Sequence, residues 1–226
     1  MSRDQVLGNI RRALHRNTPG DVASLEQRLD RPPAGPLPAR GQLARAERLA
    51  LFVKMADQSK ATVARVERWD QVPGTIADYL ASENLPARLK LAPDPKLTGL
   101  PWHTRPLIEI TTGRSDGDDA VSLCRAEAGI AETGTLMMAS GSEGPTTLNF
   151  LPETEVVVIS ADDVVGGLEE AWAALRARRG FSTKDVAAMP RTVNFITGPS
   201  RSADIGQKLQ MGAHGPRRLH IVVVGK

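Results

Sequence analysis

The sequence is poor in the residues that bind metals and form disulfides. It has one cysteine, Cys124, so no disulfide can form within the chain. An iron–sulfur cluster needs about four thiolate ligands, which this chain cannot supply by itself. None of its four histidines is spaced from Cys124 as zinc ligands are. These absences predict a protein that has no metal or other cofactor of its own and works in a reducing compartment.

Long apolar runs and aromatic side chains are also scarce. No run reaches the roughly 18 apolar residues of a membrane span, and residues 1–17 lack the apolar stretch of a secretory signal. Residues 1–54 are basic, with ten Lys and Arg against five Asp and Glu, but their one aromatic residue is Phe52. A nucleic-acid surface combines basic side chains with stacking aromatics. We therefore expect a cytoplasmic protein with no membrane span and no nucleic-acid partner.

The first 40 residues are predicted to be an extension of the main domain. Apolar residues near the start share one face of a basic amphipathic helix: Val6, Leu7, Ile10 and Leu14. A mitochondrial presequence has a similar pattern, but Asp4 and the lack of serine inside the helix argue against it. We interpret the helix as one that docks on its own domain or on a second subunit. Seven Pro and Gly in 18–40 predict a linker without regular structure.

From residue 41 onward, the predicted helices and strands alternate. Helices are expected over 42–58 and 70–82, and a third is expected to be capped by Ser160 and stopped by Gly180. Strands are expected over 61–66, 88–91, 107–110, 121–124, 135–139, 156–160, 192–197 and 219–224. Such alternation predicts an α/β domain over 41–226, with three layers and a mainly parallel sheet.

A first glycine-containing loop, 129–135, places a carboxylate between two glycines. Glu132 is a candidate general base, nucleophile or acceptor for a substrate hydroxyl, and Thr133, Gly134 and Thr135 are candidate ligand-binding residues. The alternative is a tight turn in which Glu132 accepts backbone N–H groups. The residues alone leave both interpretations open.

A second loop, 140–147, is either a cradle for a polar ligand or a surface connection. A third loop follows a predicted strand and offers candidate anion-binding residues: Gly198, Ser200, Arg201, Ser202 and Asp204. Serine N-caps, free N–H groups and an arginine suit a phosphate or carboxylate. The alternative for this loop is a capped structural turn.

A histidine between glycines, His214 in 212–216, is the second candidate catalytic residue, although a lone histidine is more often a structural hydrogen-bonding group. Cys124 is interpreted as a core residue. Ligands of parallel α/β sheets bind outside the carboxyl ends of the strands. We therefore expect one pocket at that edge to be formed by Glu132, Ser200, Arg201, Asp204 and His214.

Several sequence motifs in 119–226 occur in a fixed order: GIAETGTL, LNFLP followed by VVVI, ITGPSRSADI and GAHGP. Together they resemble the lactate utilization protein C family, whose domain is called LUD, and the opening amphipathic helix is also similar to that family. One departure concerns Gly206, since the family usually has a glutamate after the Ala-Asp-Ile run. A second is that the loop 140–147 lacks the arginine that many relatives place before their leucines.

The resemblance implies a fold similar to the NagB/RpiA/CoA-transferase group. It also implies a part in converting L-lactate to pyruvate together with two partner proteins, one or both carrying iron–sulfur clusters. This chain would then be the accessory component without a cluster, and a homo-oligomer is possible. Two other functions stay open: a stand-alone enzyme or binder of an acyl-CoA, folate or sugar phosphate, and a non-catalytic scaffold.

Overall fold

A computed structural model of the protein describes residues 2–14, 22–30, 35–180, 189–202 and 210–226. The helices are α1 (Arg3–Ala13), α2 (Val22–Asp30), α3 (Arg45–Gln58), α4 (Val72–Ser82), α5 (Pro95–Thr98), α6 (Thr147–Phe150) and α7 (Leu168–Arg179). The strands are β1 (Thr62–Val66), β2 (Arg88–Leu91), β3 (Glu109–Thr112), β4 (Val121–Arg125), β5 (Ala128–Ile130), β6 (Thr135–Ala139), β7 (Thr154–Ser160), β8 (Val164–Val165), β9 (Val193–Ile196), β10 (Arg201–Ser202), β11 (Gln210–Met211) and β12 (Arg218–Val224).

A parallel sheet forms the centre of the fold. In the described part of the chain it has six strands in the order β1-β12-β7-β4-β2-β3, and all neighbours run parallel. The central strands β7 and β12 carry continuous apolar runs, 156–159 and 221–224, whose side chains are all buried. Such runs are typical of parallel strands covered on both faces. The predicted α/β class with a mainly parallel sheet is confirmed.

A smaller sheet packs on one face of the central one. Its described strands have the order β8-β5-β6-β9, in which β6 pairs antiparallel with both of its neighbours. Strands β6 and β9 were predicted from the sequence, but their place in a separate sheet was not. Gly129 in β5 lies so close to the central sheet that a Cβ there would be 2.8 Å from Cδ1 of Ile159. The two sheets therefore share a core. Helix α7 packs against β5 and β8 of the smaller sheet.

Helix α3 joins the two sheets because it packs against both β1 and β8. Its apolar face buries Leu49, Phe52 and Ala56, and Phe52 is fully inaccessible. The loop after β5 comes so close to the last turn of α3 that a Cβ on Gly134 would overlap backbone atoms of Met55 and Ala56. Gly134 also has a positive φ of 66°. A glycine is required there for packing, because other residues are strained at this φ and have no space.

The predicted helix after β7 begins later than the sequence indicated. Ser160 caps a short 3-10 turn instead, and its hydroxyl accepts a hydrogen bond from the backbone N–H of Asp162. The two valines that follow form β8, which pairs with β5, and α7 starts only at Leu168. β-branched residues followed by glycines favour extended structure, and here pairing with β5 outweighs the helical spacing. The predicted end is confirmed, since Gly180 takes the left-handed conformation at the C-cap.

The expectation of a linker without regular structure over 18–40 is wrong for its middle. Helix α2 lies there, because the prolines and glycines cluster at 19–20 and 32–38 and leave 21–31 free of both. Ser2 and Gln5 form a capping box at α1, where no side chain is buried. The apolar stripe of α1 stays accessible, with Ile10 48% exposed. In the described segments, no helix has the length and apolar character needed to cross a membrane.

One buried histidine lies on the other face of the central sheet. His220 stacks on Tyr79 of α4 at 3.8 Å between ring centroids, and its Nδ1 lies 2.8 Å from Oγ1 of Thr62. Its Nε2 is buried and has no hydrogen-bond partner in the residues that the structure describes. Burial lowers the pKa of His220 to about 4. The ring is therefore neutral and packs as an aromatic side chain in the core.

We predict that replacing Gly134 by Ala destabilises the fold by about 2–4 kcal/mol, through the strained φ and the backbone overlap with α3. Gly141→Ala is the matched control, because nothing lies within 4 Å of a Cβ there. Denaturant unfolding measures both variants. Equal stabilities of Gly134→Ala and Gly141→Ala would show that the contact with α3 does not constrain this loop.

We further predict that His220 contributes a pH-dependent part of the stability. The unfolded chain binds a proton near pH 6.5 and the folded chain only near pH 4, so this stability is complete above pH 6.5 and is lost as the pH falls towards 4. The loss is at most about 3 kcal/mol. The His220→Gln variant lacks this group, so its unfolding free energy should fall less than that of the wild type between pH 7 and pH 4.5. Parallel losses in the two proteins would contradict the assignment.

Candidate functional site

A cavity of about 320 Å³ opens at the amino ends of β7 and β12. Five segments line it: the starts of these two strands, the end of α6, the stretch 195–201 and the turn 214–216. Ser200, Arg201 and His214, all predicted site residues, are brought together in this lining. The sequence had led us to expect a site at the carboxyl ends of the strands. The cavity lies at the opposite edge, because the residues that follow β9 lie beside the starts of β7 and β12.

Ser200 ties the two cavity loops together. Its backbone N–H donates to the carbonyl of Pro216 at 2.8 Å, and its own carbonyl accepts from the N–H of Gly212 at 2.9 Å. Its hydroxyl accepts from the backbone N–H of His214 at 3.2 Å. These bonds fix the histidine beside the loop. Ser200 thus holds the wall of the cavity in place, a task that the sequence did not reveal.

The other predicted residues of the third loop have different positions. Arg201 is exposed and lines the cavity, whereas Ser202 is buried and is not part of the lining. Both belong to β10, which pairs with β11. Gly198 lines the cavity, but with a φ of 72° it also packs against the last turn of α3, where a Cβ would overlap the carbonyl oxygen of Ser59. Asp204 and Gly206 lie outside the described residues.

The sequence reasoning missed Glu155, the second residue of β7. Its side chain is fully buried, the residue lines the cavity, and neither carboxyl oxygen has a hydrogen-bond partner among the described residues. Burial raises the pKa of Glu155 well above its usual range, because it disfavours the charged form of the carboxyl group. An unsatisfied polar group of this kind destabilises a protein by roughly 1–3 kcal/mol. The sequence does carry a signal for this residue, since an acidic side chain directly precedes four apolar ones. It was missed because the strand was predicted to begin only at Val156.

Glu132 does not line this cavity. Its backbone N–H donates to the carbonyl of Gly166 at 3.2 Å, and its carboxylate lies beside Gly167, where a Cβ would be 3.6 Å from Oε1. Gly167 is the N-cap of α7. Because the helix dipole is positive at this end, a carboxylate is stabilised there. The expected convergence of Glu132 with His214 is therefore not seen in the cavity lining.

A chain of hydroxyl groups connects the first loop with the edge of the cavity. Oγ1 of Thr135 lies 2.7 Å from that of Thr133 and 2.6 Å from that of Thr197, which lines the cavity. The predicted ligand-binding residues Thr133 and Thr135 thus bond to each other and to the third loop. Gly134 between them faces α3, so its small size serves packing.

A smaller cavity of about 160 Å³ lies at the carboxyl ends of β2 and β4. The second glycine-containing loop lines it through 141–144. Its two arginines are already paired. Nε of Arg125 donates to Oδ2 of Asp94 at 2.6 Å in a largely buried ion pair, and Nη2 of Arg179 donates to Oε1 of Glu127 at 2.9 Å. Asp94 also accepts from the backbone N–H of Lys96. Mutual pairing leaves these groups less able to hold a ligand than those of the larger cavity.

Cys124 lies in β4 and is buried, as predicted for a core residue. Burial raises the pKa of its thiol well above the usual range, which disfavours the nucleophilic thiolate. Within the described ranges, no three His, Cys, Asp or Glu residues are grouped so that they could hold a metal ion.

Comparison with known proteins finds curated relatives that carry the same name. The lactate utilization protein C of Geobacillus thermodenitrificans is 35% identical over 116 residues, which cover 50% of this chain and 47% of that protein. The protein of the same name from Geobacillus kaustophilus is 33% identical over 116 residues, with shares of 50% and 47%. The matched stretch thus spans about half the length of these curated relatives.

A solved structure supports the fold. The crystal structure of a DUF162 family protein from Deinococcus radiodurans matches with a TM-score of 0.58 and 25% sequence identity, covering 81% of this chain and 99% of that one. The family model described as the LUD domain matches residues 49–224, from α3 to the end of β12. Because this match covers most of the sequence and the whole central sheet, the chain belongs to the LUD-domain family.

Proposed function

We propose that this protein is the accessory component, without an iron–sulfur cluster, of a cytoplasmic system that oxidises L-lactate to pyruvate. The observation that carries the proposal is the family match over 49–224 together with curated relatives named lactate utilization protein C. Oxidation of lactate removes two electrons, and one buried cysteine offers no site for a cluster that would accept them. The electrons are therefore passed to partner proteins that carry the clusters.

In this proposal the chain contributes a ligand site. The cavity at the amino ends of β7 and β12 has the cationic Arg201 at its rim and His214 fixed beside it. Its volume lies near the lower end of the range of about 300–1,000 Å³ that is usual for ligand pockets. A small organic acid fits a site of this size and charge better than a dinucleotide does. The N-terminal helix α1, with its exposed apolar stripe, is the proposed contact arm for a partner or a second copy.

The same cavity is also compatible with a second function. A stand-alone enzyme or binder of an anionic molecule, such as an acyl-CoA, a folate or a sugar phosphate, would also use Arg201. Binding of one of these ligands by the purified chain, together with normal growth of a deletion strain on lactate, would favour it over the lactate role.

We predict that the purified chain is colourless and contains no stoichiometric iron, even after anaerobic reconstitution with iron and sulfide. Ultraviolet–visible spectra and metal analysis check this. Co-purification with cluster-bearing partners should bring iron into the sample and allow lactate-dependent reduction of an electron acceptor. A cluster absorption band in the isolated chain would contradict the proposed division of roles.

We also predict that Glu132→Gln abolishes support of growth on L-lactate and changes the melting temperature little, as expected of a group that acts on a partner protein away from the cavity. Glu109→Gln is the control, because Glu109 is exposed at the edge strand β3, where its ion pair with Arg88 adds little stability. Growth of a deletion strain carrying each variant is compared with the melting curve of the purified protein. Full growth with Glu132→Gln, or loss of folding, would show that Glu132 only stabilises the turn and the start of α7.

A further inference from the structure

Glu155 is the unusual residue of the cavity lining, because the surrounding fold does not explain why a carboxyl group is buried there. On the same face of the sheet its neighbours are Ser122 in β4 and Leu219 in β12. Ser122 donates its hydroxyl hydrogen to the carbonyl oxygen of Leu148 at 2.7 Å, and Leu219 is apolar. Within the described part of the chain, both carboxyl oxygens of Glu155 are buried without a hydrogen-bond partner. Since buried polar groups are nearly always hydrogen-bonded, such an exception requires an explanation.

The position of Glu155 supplies this explanation. Glu155 is a fully buried residue of the cavity lining, whereas Arg201 and His214, which also line it, are exposed. Burial raises the pKa of Glu155 and so favours its protonated form, which has one O–H donor. A neutral acid together with a cation at the rim is complementary to an anionic ligand. An ionised carboxylate in the same place would repel such a ligand.

We propose that the cavity binds a small organic acid, and that Glu155 determines its specificity by donating a hydrogen bond to an oxygen of the bound acid. Arg201 attracts the negative charge, and the turn fixed by Ser200 closes one side of the site. The two oxygens without a partner are then accounted for, because a bound acid supplies the partner of the carboxyl group. This inference names the ligand class of the site in the proposed function and rests on it for the biological role, but it is tested on the purified chain alone.

The test compares two substitutions at one position. Glu155→Gln keeps an uncharged hydrogen-bond donor, whereas Glu155→Met keeps a similar length without any donor. Glu153→Gln is the matched control, because Glu153 lies two residues away, is exposed, and forms a long ion pair of 3.9 Å with Arg217. Melting temperatures are measured without ligand and with millimolar L-lactate, pyruvate, uncharged lactamide or inorganic phosphate, since a ligand that binds the folded state raises the melting temperature.

Without ligand, Glu155→Met is expected to melt a few degrees above the wild type, because the unsatisfied carboxyl is removed. With ligand, lactate or pyruvate should protect the wild type, Glu155→Gln and the control, while lactamide protects none. Glu155→Met should bind the acid at least about tenfold more weakly, the factor expected for a lost hydrogen bond to a charged group.

Three results would overturn the inference. A lower melting temperature of Glu155→Met would give the carboxyl a structural role. Equal protection of Glu155→Met and Glu155→Gln would remove the donor role. Protection of the wild type by phosphate alone, or by none of the four compounds, would refute the ligand class. Acid binding together with normal lactate growth of a deletion strain would refute the proposed function and leave this inference standing.

Discussion

The close approach of two glycine loops to the last turn of α3 is the constraint on which the rest of the architecture depends. Gly134 and Gly198 both have positive φ, and each lies where a side chain would overlap backbone atoms of the helix. The helix packs against both the central sheet and the smaller one. These contacts therefore fix the position of the smaller sheet over the core, and with it the loop that lines the cavity.

The cavity is a consequence of this arrangement. The loop after β9 is directed towards the amino ends of the central strands, where α6 and the turn 214–216 complete the lining. The first residues of β7 then become the inner wall, so a glutamate at position 155 is buried at that place. Stability and function oppose each other there. An apolar residue would pack better, and a carboxyl group without a partner persists in a protein when a ligand makes use of it.

The sequence predicted a large part of the fold because its strands carry strong local signals. The apolar runs before Ser160 and Gly225 marked the central strands, and Gly180 marked the end of α7. The division into two sheets could not be read in this way, since Val164 and Val165 fit a helical face as well as a strand. Only pairing with β5, a contact distant in sequence, decides between the two.

The site was less predictable, for a related reason. The motifs singled out Ser200, Arg201 and His214, and the structure places these three residues around one cavity. They also suggested that Gly134 allows a ligand to approach, whereas its neighbour is α3. Glu155 was missed because a single acid at a strand end resembles an ordinary solvent-exposed position. Its significance appears only with the burial of both oxygens, which depends on tertiary packing.

The central claim is that the functional site lies at the amino ends of β7 and β12. Titration of the isotope-labelled chain with pyruvate, followed by two-dimensional NMR of the backbone amides, tests it most directly. The account predicts saturable shifts at Gly198, Arg201, His214 and Gly215, and little change at Gly141 or Gly144 of the smaller cavity. Shifts confined to 141–144, or to Glu132 and the start of α7, would contradict it.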